Sequence, residues 1–354
     1  MKRDTVRPQL STRQEALLGS LRQLGVANNK TLLESIRRRE SISRVTLIRD
    51  LHQLIKTGLV KKHGRGRGVF YQAETGVLLR ELDPGSYFEQ GPDQRVIQPQ
   101  RFQFEGRQMW DQIFSVDELK HFGQLTDIFR QHLDVFTESA VKRELERITI
   151  EFSWKSSRIE GSTYTLLDTE RLLKEHREAP GKTREEAVMI LNHTIAFEYI
   201  WSHPKHFLQL SLKKIEEIHD LIAKDLGIEK GIRKRPVGIV GTVYRPHDNQ
   251  YQIREAVSDL CKLINGFENP FLKALVGVVG LSYIQPFADG NKRTSRLVGN
   301  ALLIAFGCCP LSYRSVDEGL YKKAIILFYE QHSLAPFRQL FAEQVEFAAG
   351  NYFL

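Results

Sequence analysis

The residues best equipped for chemistry lie in one stretch, LSYIQPFADGNKRTSRLVGNALLIAF, from Leu281 to Phe306. Pro286 ends an apolar helix-compatible run, and Leu297, Ala301 and Ile304 then recur at the spacing of one helix face. The turn at Gly290 and Asn291 therefore opens onto a helix start. Such a start presents backbone N–H groups that have no intrahelical acceptor, together with the positive end of the helix dipole, which suits an anion. Lys292, Arg293 and Arg296 add charge, and the two arginines, three apart, share a face from which each would grip a phosphate of a polyphosphate chain through paired donors. Asp289 is an oxygen ligand suited to a magnesium ion bridging those phosphates. Taken singly, these features are ordinary: Asp-Gly is a common turn, and helical arginines mostly meet solvent or a carboxylate.

Together they resemble the Fic family signature, HxFxxGNxRxxR, with Phe287, Gly290, Asn291, Arg293 and Arg296 at its fixed positions and Gln285 at the first. The resemblance implies a mainly helical Fic domain over residues 111–354, ATP with Mg2+ as donor, and transfer of AMP to a hydroxyl on a protein, with Gly290 and Asn291 holding phosphates beside Lys292, Arg293 and Arg296. The family's first residue is a histidine that takes the proton of the attacking hydroxyl. Gln285 orients a hydroxyl but has no protonation states to offer, and loss of a general base costs about 10²- to 10⁴-fold in rate. Upstream, WKSSRIEGS resembles the family's inhibitory motif [ST]xxxE[GN], with Ser156, Glu160 and Gly161 in register at the end of a helix over about 140–161. That likeness implies that Glu160 pairs with Arg296 in place of the γ-phosphate. In isolation these residues would read as a helix ending on a glycine cap; two motifs of one family in the right order change that reading. A β-branched, glycine-punctuated stretch, Arg235 to Tyr244, predicts a small β-hairpin that resembles the family's flap. His247 beside it reads as a solvent-facing turn histidine, and His332 as a structural one.

The elements that must carry this site are helical from Phe114 onward, and a different module precedes them. Residues 12–24 place Ala16, Leu17, Leu21 and Leu24 on one helical face, and Leu32, Leu33 and Ile36 mark a second helix. Ser43 opens a third, whose buried side is expected to be Val45, Leu47, Ile48, Leu51, Leu54 and Ile55, ended by Gly58. The glycine-rich LVKKHGRGRGVFYQ that follows reads as a basic hairpin. This order resembles a winged helix-turn-helix over residues 1–75, and the resemblance implies duplex DNA as partner: Arg44, Thr46 and Arg49 reading bases, Lys61, Lys62, Arg65 and Arg67 holding phosphates. Charge agrees, because residues 1–75 hold 16 Lys and Arg against 6 Asp and Glu, while the whole chain carries only +8. A role in protein contacts stays open for so small a fold.

Residues 76–110, mixed in charge and rich in Pro and Gly, are expected to form a linker. Cys261, Cys308 and Cys309 offer neither a disulfide framework nor a zinc spacing and are expected as buried thiols. No apolar run reaches a membrane span, and the start lacks the apolar core of a signal peptide, so the cytoplasm is the expected compartment. Oligomeric state, including a homo-oligomer, stays open. Two functions compete, and a third, removal of a nucleotide by water aligned by Glu160 or transfer of another phosphate-linked group, stays open. One is a regulated adenylyltransferase weakened at Gln285; the other is a DNA-binding regulator whose Fic half senses nucleotide.

Overall fold

Apolar side chains at helical spacing fold the N-terminal stretch around a small core of its own. The computed structural model describes residues 10–24, 26–37, 42–56, 59–73, 78–104 and 107–354. Contacts divide the chain into two units, residues 1–83 with 332–335 and residues 84–331 with 336–354. The first unit runs α1 (Thr12–Leu24), β1 (Val26–Ala27), α2 (Asn29–Arg37), α3 (Arg44–Lys56), β2 (Val60–His63) and β3 (Phe70–Ala73). Its strands pair antiparallel in the order β1-β3-β2, with His63 opposite Phe70. Leu17, Leu21, Leu32, Ile36, Leu47, Leu51, Leu54 and Tyr71 make the core.

Local chemistry sets the helix starts in this unit. The Asn28 carboxamide accepts the N–H groups of Lys30 and Thr31, and the Ser43 hydroxyl accepts that of Thr46. Asp50, buried on α3, pairs with Arg13 of α1 at 2.5 Å. Gly64 adopts φ +75°, and a Cβ there would meet the Gly68 carbonyl oxygen at 2.2 Å, so the tight turn between β2 and β3 demands glycine. Two expectations fail: Leu24, placed on the apolar face of α1, is 40 % exposed, and Val45, assigned to the buried side of α3, is 77 % exposed. Val45 sits in the first turn, where the helix overhangs the core served by Leu47 and Leu51. Gly58 lies outside the described residues.

The second unit is helical: α4 (Pro84–Tyr87), α5 (Arg107–Trp110), α6 (Val116–Val135), α7 (Glu138–Ile159), α8 (Leu166–Glu175), α9 (Arg184–Ser202), α10 (Leu212–Ala223), α11 (Gln250–Gly266), α12 (Pro270–Ile284), α13 (Asn291–Ala305), α14 (Glu318–Gln331) and α15 (Ala335–Ala349). Hydroxyl caps define several starts, with Ser115, Thr165 and Thr183 each accepting an N–H three residues on. At the centre, α12 is buried from Phe271 through Ile284 and packs on α13. A Cβ at Gly299 would meet Val278 at 2.6 Å, so glycine there is what allows the two backbones this approach. Helices α7, α9 and α10 cover the rest of α13.

Two expectations change here. The stretch 76–110, read as a linker, belongs to the second unit from Pro84 on. Arg95 is buried against Glu330 at 3.1 Å, and Phe102 and Phe104 pack edge-on to Trp110 and Tyr283 respectively. Rings spaced without a period anchor irregular chain, which a search for periodicity does not detect. Residues 235–244 do not pair as a β-hairpin. They form an extended loop around a turn at Val240 and Gly241. Pro236 has no N–H to give a ladder, and side chains take carbonyls that a ladder would use: Arg233 donates to Arg235 and Arg95 to Gly241. Among the described residues no helix is long and apolar enough to cross a membrane. Cys261 and Cys308 are buried free thiols and Cys309 is half-buried.

Candidate nucleotide site

The loop between α12 and α13 is built by a few specific contacts. Gln285 closes α12 in the left-handed region, φ 52°, and Gly290 opens α13 at φ 76° with no side chain capping the helix. The first N–H groups of α13 are thus aimed outward with no intrahelical acceptor. Asn291 shapes the loop: its Oδ1 accepts the Phe287 N–H at 2.8 Å and its Nδ2 donates to the Phe287 carbonyl at 2.9 Å. The Asn291 side-chain amide is therefore spent on the backbone, and what Asn291 offers an anion is its own N–H.

Arg293 and Arg296 do share a face, and both are buried. Arg296 donates from Nε to the Ser156 hydroxyl at 2.9 Å and from Nη2 to the Ser156 carbonyl at 2.8 Å. It also meets Glu160 Oε1 at 2.9 Å, and its guanidinium lies 5.4 Å from the centre of the Tyr321 ring. Lys292 reaches the other oxygen of Glu160 at 3.6 Å. Burial disfavours the Glu160 carboxylate, yet Arg296, Lys292 and Arg293 outweigh it and hold its pKa below the ordinary value. Glu160 reaches this spot because α7 stops there, Gly161 taking φ +106°. Arg293, 4 % exposed, has Asp289 Oδ2 at 3.8 Å, and its Nη1 has no hydrogen-bond partner among the described residues. A buried guanidinium with an unused donor beside a bare helix start is an arrangement whose chemistry suits an anion. Asp289 is exposed at its mouth, with Oδ1 accepting the Gly290 N–H at 2.6 Å.

Gln285 does not face the site as a free amide. Its Nε2 donates to the Ser282 carbonyl at 2.6 Å, one turn back on α12, and the side chain is buried.

Two residues that the sequence reading passed over hold the loop. His219 on α10 donates from Nε2 to the Asp289 carbonyl at 3.0 Å and stacks on Phe287 with ring centres 3.8 Å apart. Burial pushes its pKa down, which favours the neutral imidazole. On α10 it recurs with Ile215, Ile218 and Ile222, a spacing that signals core and hides the role. Arg233, buried, donates to the carbonyls of Gln285 at 2.7 Å and Arg235 at 2.9 Å and also to that of His247, while its own N–H meets the Pro286 carbonyl at 3.0 Å. One guanidinium thereby ties the 235–247 loop to the end of α12. His247 itself is half-buried between Arg101 and Gln252, and burial with the nearby Arg101 charge lowers its pKa. His332 is buried, with its pKa pushed down to about 4.

In the first unit, Arg44, Arg49, Lys61, Lys62 and Arg65 are exposed. The Thr46 hydroxyl is engaged by Ser43 at 2.8 Å. The side chain of Arg67 lies outside the described residues.

The turn of this helical hairpin delivers Gly, Asn and two buried arginines to a bare helix start, and a glutamate from another helix end faces them. Residues 209–303, within the helical unit, match the model of the Fic/DOC family. The chain is 29 % identical over 220 residues to the protein adenylyltransferase Fic of Drosophila virilis, a match covering 59 % of this chain and 43 % of that protein. With the Drosophila melanogaster protein of the same name it is 28 % identical over 250 residues, 67 % of this chain and 48 % of that one. It thus spans less than half the length of these curated relatives. Among solved structures, a fragment of Fic-1 from C. elegans superposes with a TM-score of 0.58 at 20 % identity, covering 69 % of this chain and 74 % of that one. A Fic domain containing signaling protein from Bacteroides thetaiotaomicron gives 0.57 at 20 %, covering 65 % and 94 %. These two superpositions speak to fold.

Proposed function

We propose that the helical unit binds ATP and is a throttled protein adenylyltransferase. The observation that carries this is the occupied anion site: the α13 helix start, Arg293 with an unused donor, and Arg296 held by Glu160 at 2.9 Å where a terminal phosphate would sit. A carboxylate in that place resists the triphosphate until it is displaced. Asp289, exposed at the mouth, suits a Mg2+ shared with phosphate oxygens, and the ion would supply charge neutralisation of the departing pyrophosphate. In the transfer, the acceptor hydroxyl oxygen bonds to the α-phosphorus as the bond to pyrophosphate breaks. The hydroxyl proton passes to water, because the Gln285 amide takes no proton and is already engaged with Ser282. Slow transfer is the consequence. With α-labelled ATP, Glu160→Gly is expected to raise label on protein, and Gln285→His, combined with it, to raise label further, by about 10²-fold or more. No label from the double variant, with ATP binding intact, would refute adenylyl transfer.

A second reading concerns the first unit. Its order of three helices and three strands, the sheet order β1-β3-β2, and exposed cations on α3 and around the β2–β3 turn support a winged helix that binds duplex DNA. Binding is expected to weaken steeply with salt, and Arg65→Ala to flatten the slope by about one charge. Binding insensitive to both would refute it.

A further inference from the structure

Val45 breaks the pattern of α3. The exposed residues of this helix are Arg44, Val45, Arg49, His52, Gln53 and Lys56, all polar or charged but one. A valine 77 % exposed in a first turn gains nothing from the core, and valine is a weaker helix former than the polar residues that would replace it. The hydroxyls nearest to it are partly engaged within the helix: Ser43 Oγ caps it by accepting the Thr46 N–H at 3.1 Å, and the two hydroxyls bond one another at 2.8 Å. Val45 and Arg49, four residues apart, stand on one exposed face about 6 Å apart along the axis.

Resting on the DNA-binding reading of this unit, we infer that Val45 reads a thymine methyl group and Arg49 a guanine one or two base pairs away. The thymine C5-methyl is the apolar group that base edges present in the major groove, and guanine offers O6 and N7 to a guanidinium. The axial offset of about 6 Å matches one to two steps of about 3.4 Å. The recognised site therefore contains a T and a G at that separation, and the valine supplies the choice of thymine over the other bases at its position.

The experiment selects duplexes from a random pool with the full chain, then replaces each thymine singly by deoxyuridine, which lacks only the methyl. Anisotropy titration of the parent is expected to show one thymine whose replacement weakens binding about fourfold, the worth of one buried methyl. In Val45→Ala, thymine and uracil at that position bind equally. In Arg49→Ala, the preference for G one or two pairs away relaxes. Val45 is exposed, so melting of Val45→Ala should match the parent. If the chain selects a duplex but uracil weakens binding nowhere, or the uracil effect persists in Val45→Ala, the inference is overturned while DNA binding stands. If no duplex is selected over non-specific DNA at any salt, the DNA-binding reading fails and takes the inference with it.

Discussion

Replacing Glu160 by glycine perturbs stability and nucleotide affinity in opposite directions, and the structure sets the size of each. Arg296 is fully buried, donates to the Ser156 hydroxyl and carbonyl, and forms an ion pair with Glu160, whose side chain is 20 % exposed. Truncation leaves the guanidinium with neutral acceptors only. A hydrogen bond to a charged partner is worth about 1.5–3 kcal/mol, and the partial exposure of Glu160 points to the lower half of that range. In the parent, a triphosphate must break the pair before its terminal phosphate reaches Arg296; in the variant it restores a missing counter-ion. ATP affinity should therefore rise about tenfold to a hundredfold by titration calorimetry. Thermal melting without nucleotide should fall, and the upward shift on adding ATP should exceed that of the parent. Glu160→Gln, which keeps the shape but not the charge, should lie between. A variant that binds ATP no more tightly than the parent would refute the assignment of Arg296 to the terminal phosphate.

The same pair has a pH signature. Because the folded pKa of Glu160 is lowered, its stabilisation is full above the ordinary value of 4.5 and is lost as pH falls through the folded value. The melting difference between parent and Glu160→Gln should thus persist at pH 7 and shrink below pH 4.5; an undiminished gap in acid would contradict the charge pairing. His219→Ala removes the donor to the Asp289 carbonyl and the ring on Phe287. A loss of about 1–3 kcal/mol in denaturant unfolding, with ATP affinity weakened, is expected, and unchanged affinity would show that the loop keeps its shape without the imidazole.

Much of the site was legible in linear order because its chemistry is local. Gly290, Asn291, Arg293 and Arg296 fall within two turns, so spacing alone puts a bare helix start and two guanidiniums side by side. The motif ending in Glu160 was legible too, and its pairing with Arg296 came only from the likeness to a known family. Nothing in residue types says that α7 ends beside α13. Tertiary packing decided the rest: that the Asn291 amide is spent on Phe287, that Gln285 turns back to Ser282, and that His219 and Arg233, distant in sequence, hold the loop. It also decided which side of a helix is left outside. Val45 fits an apolar pattern along the chain, but a three-turn helix has only a few positions over its neighbours, and the first turn of α3 projects past them. Sequence determines which faces are able to pack; only the placement of neighbours determines which of them do.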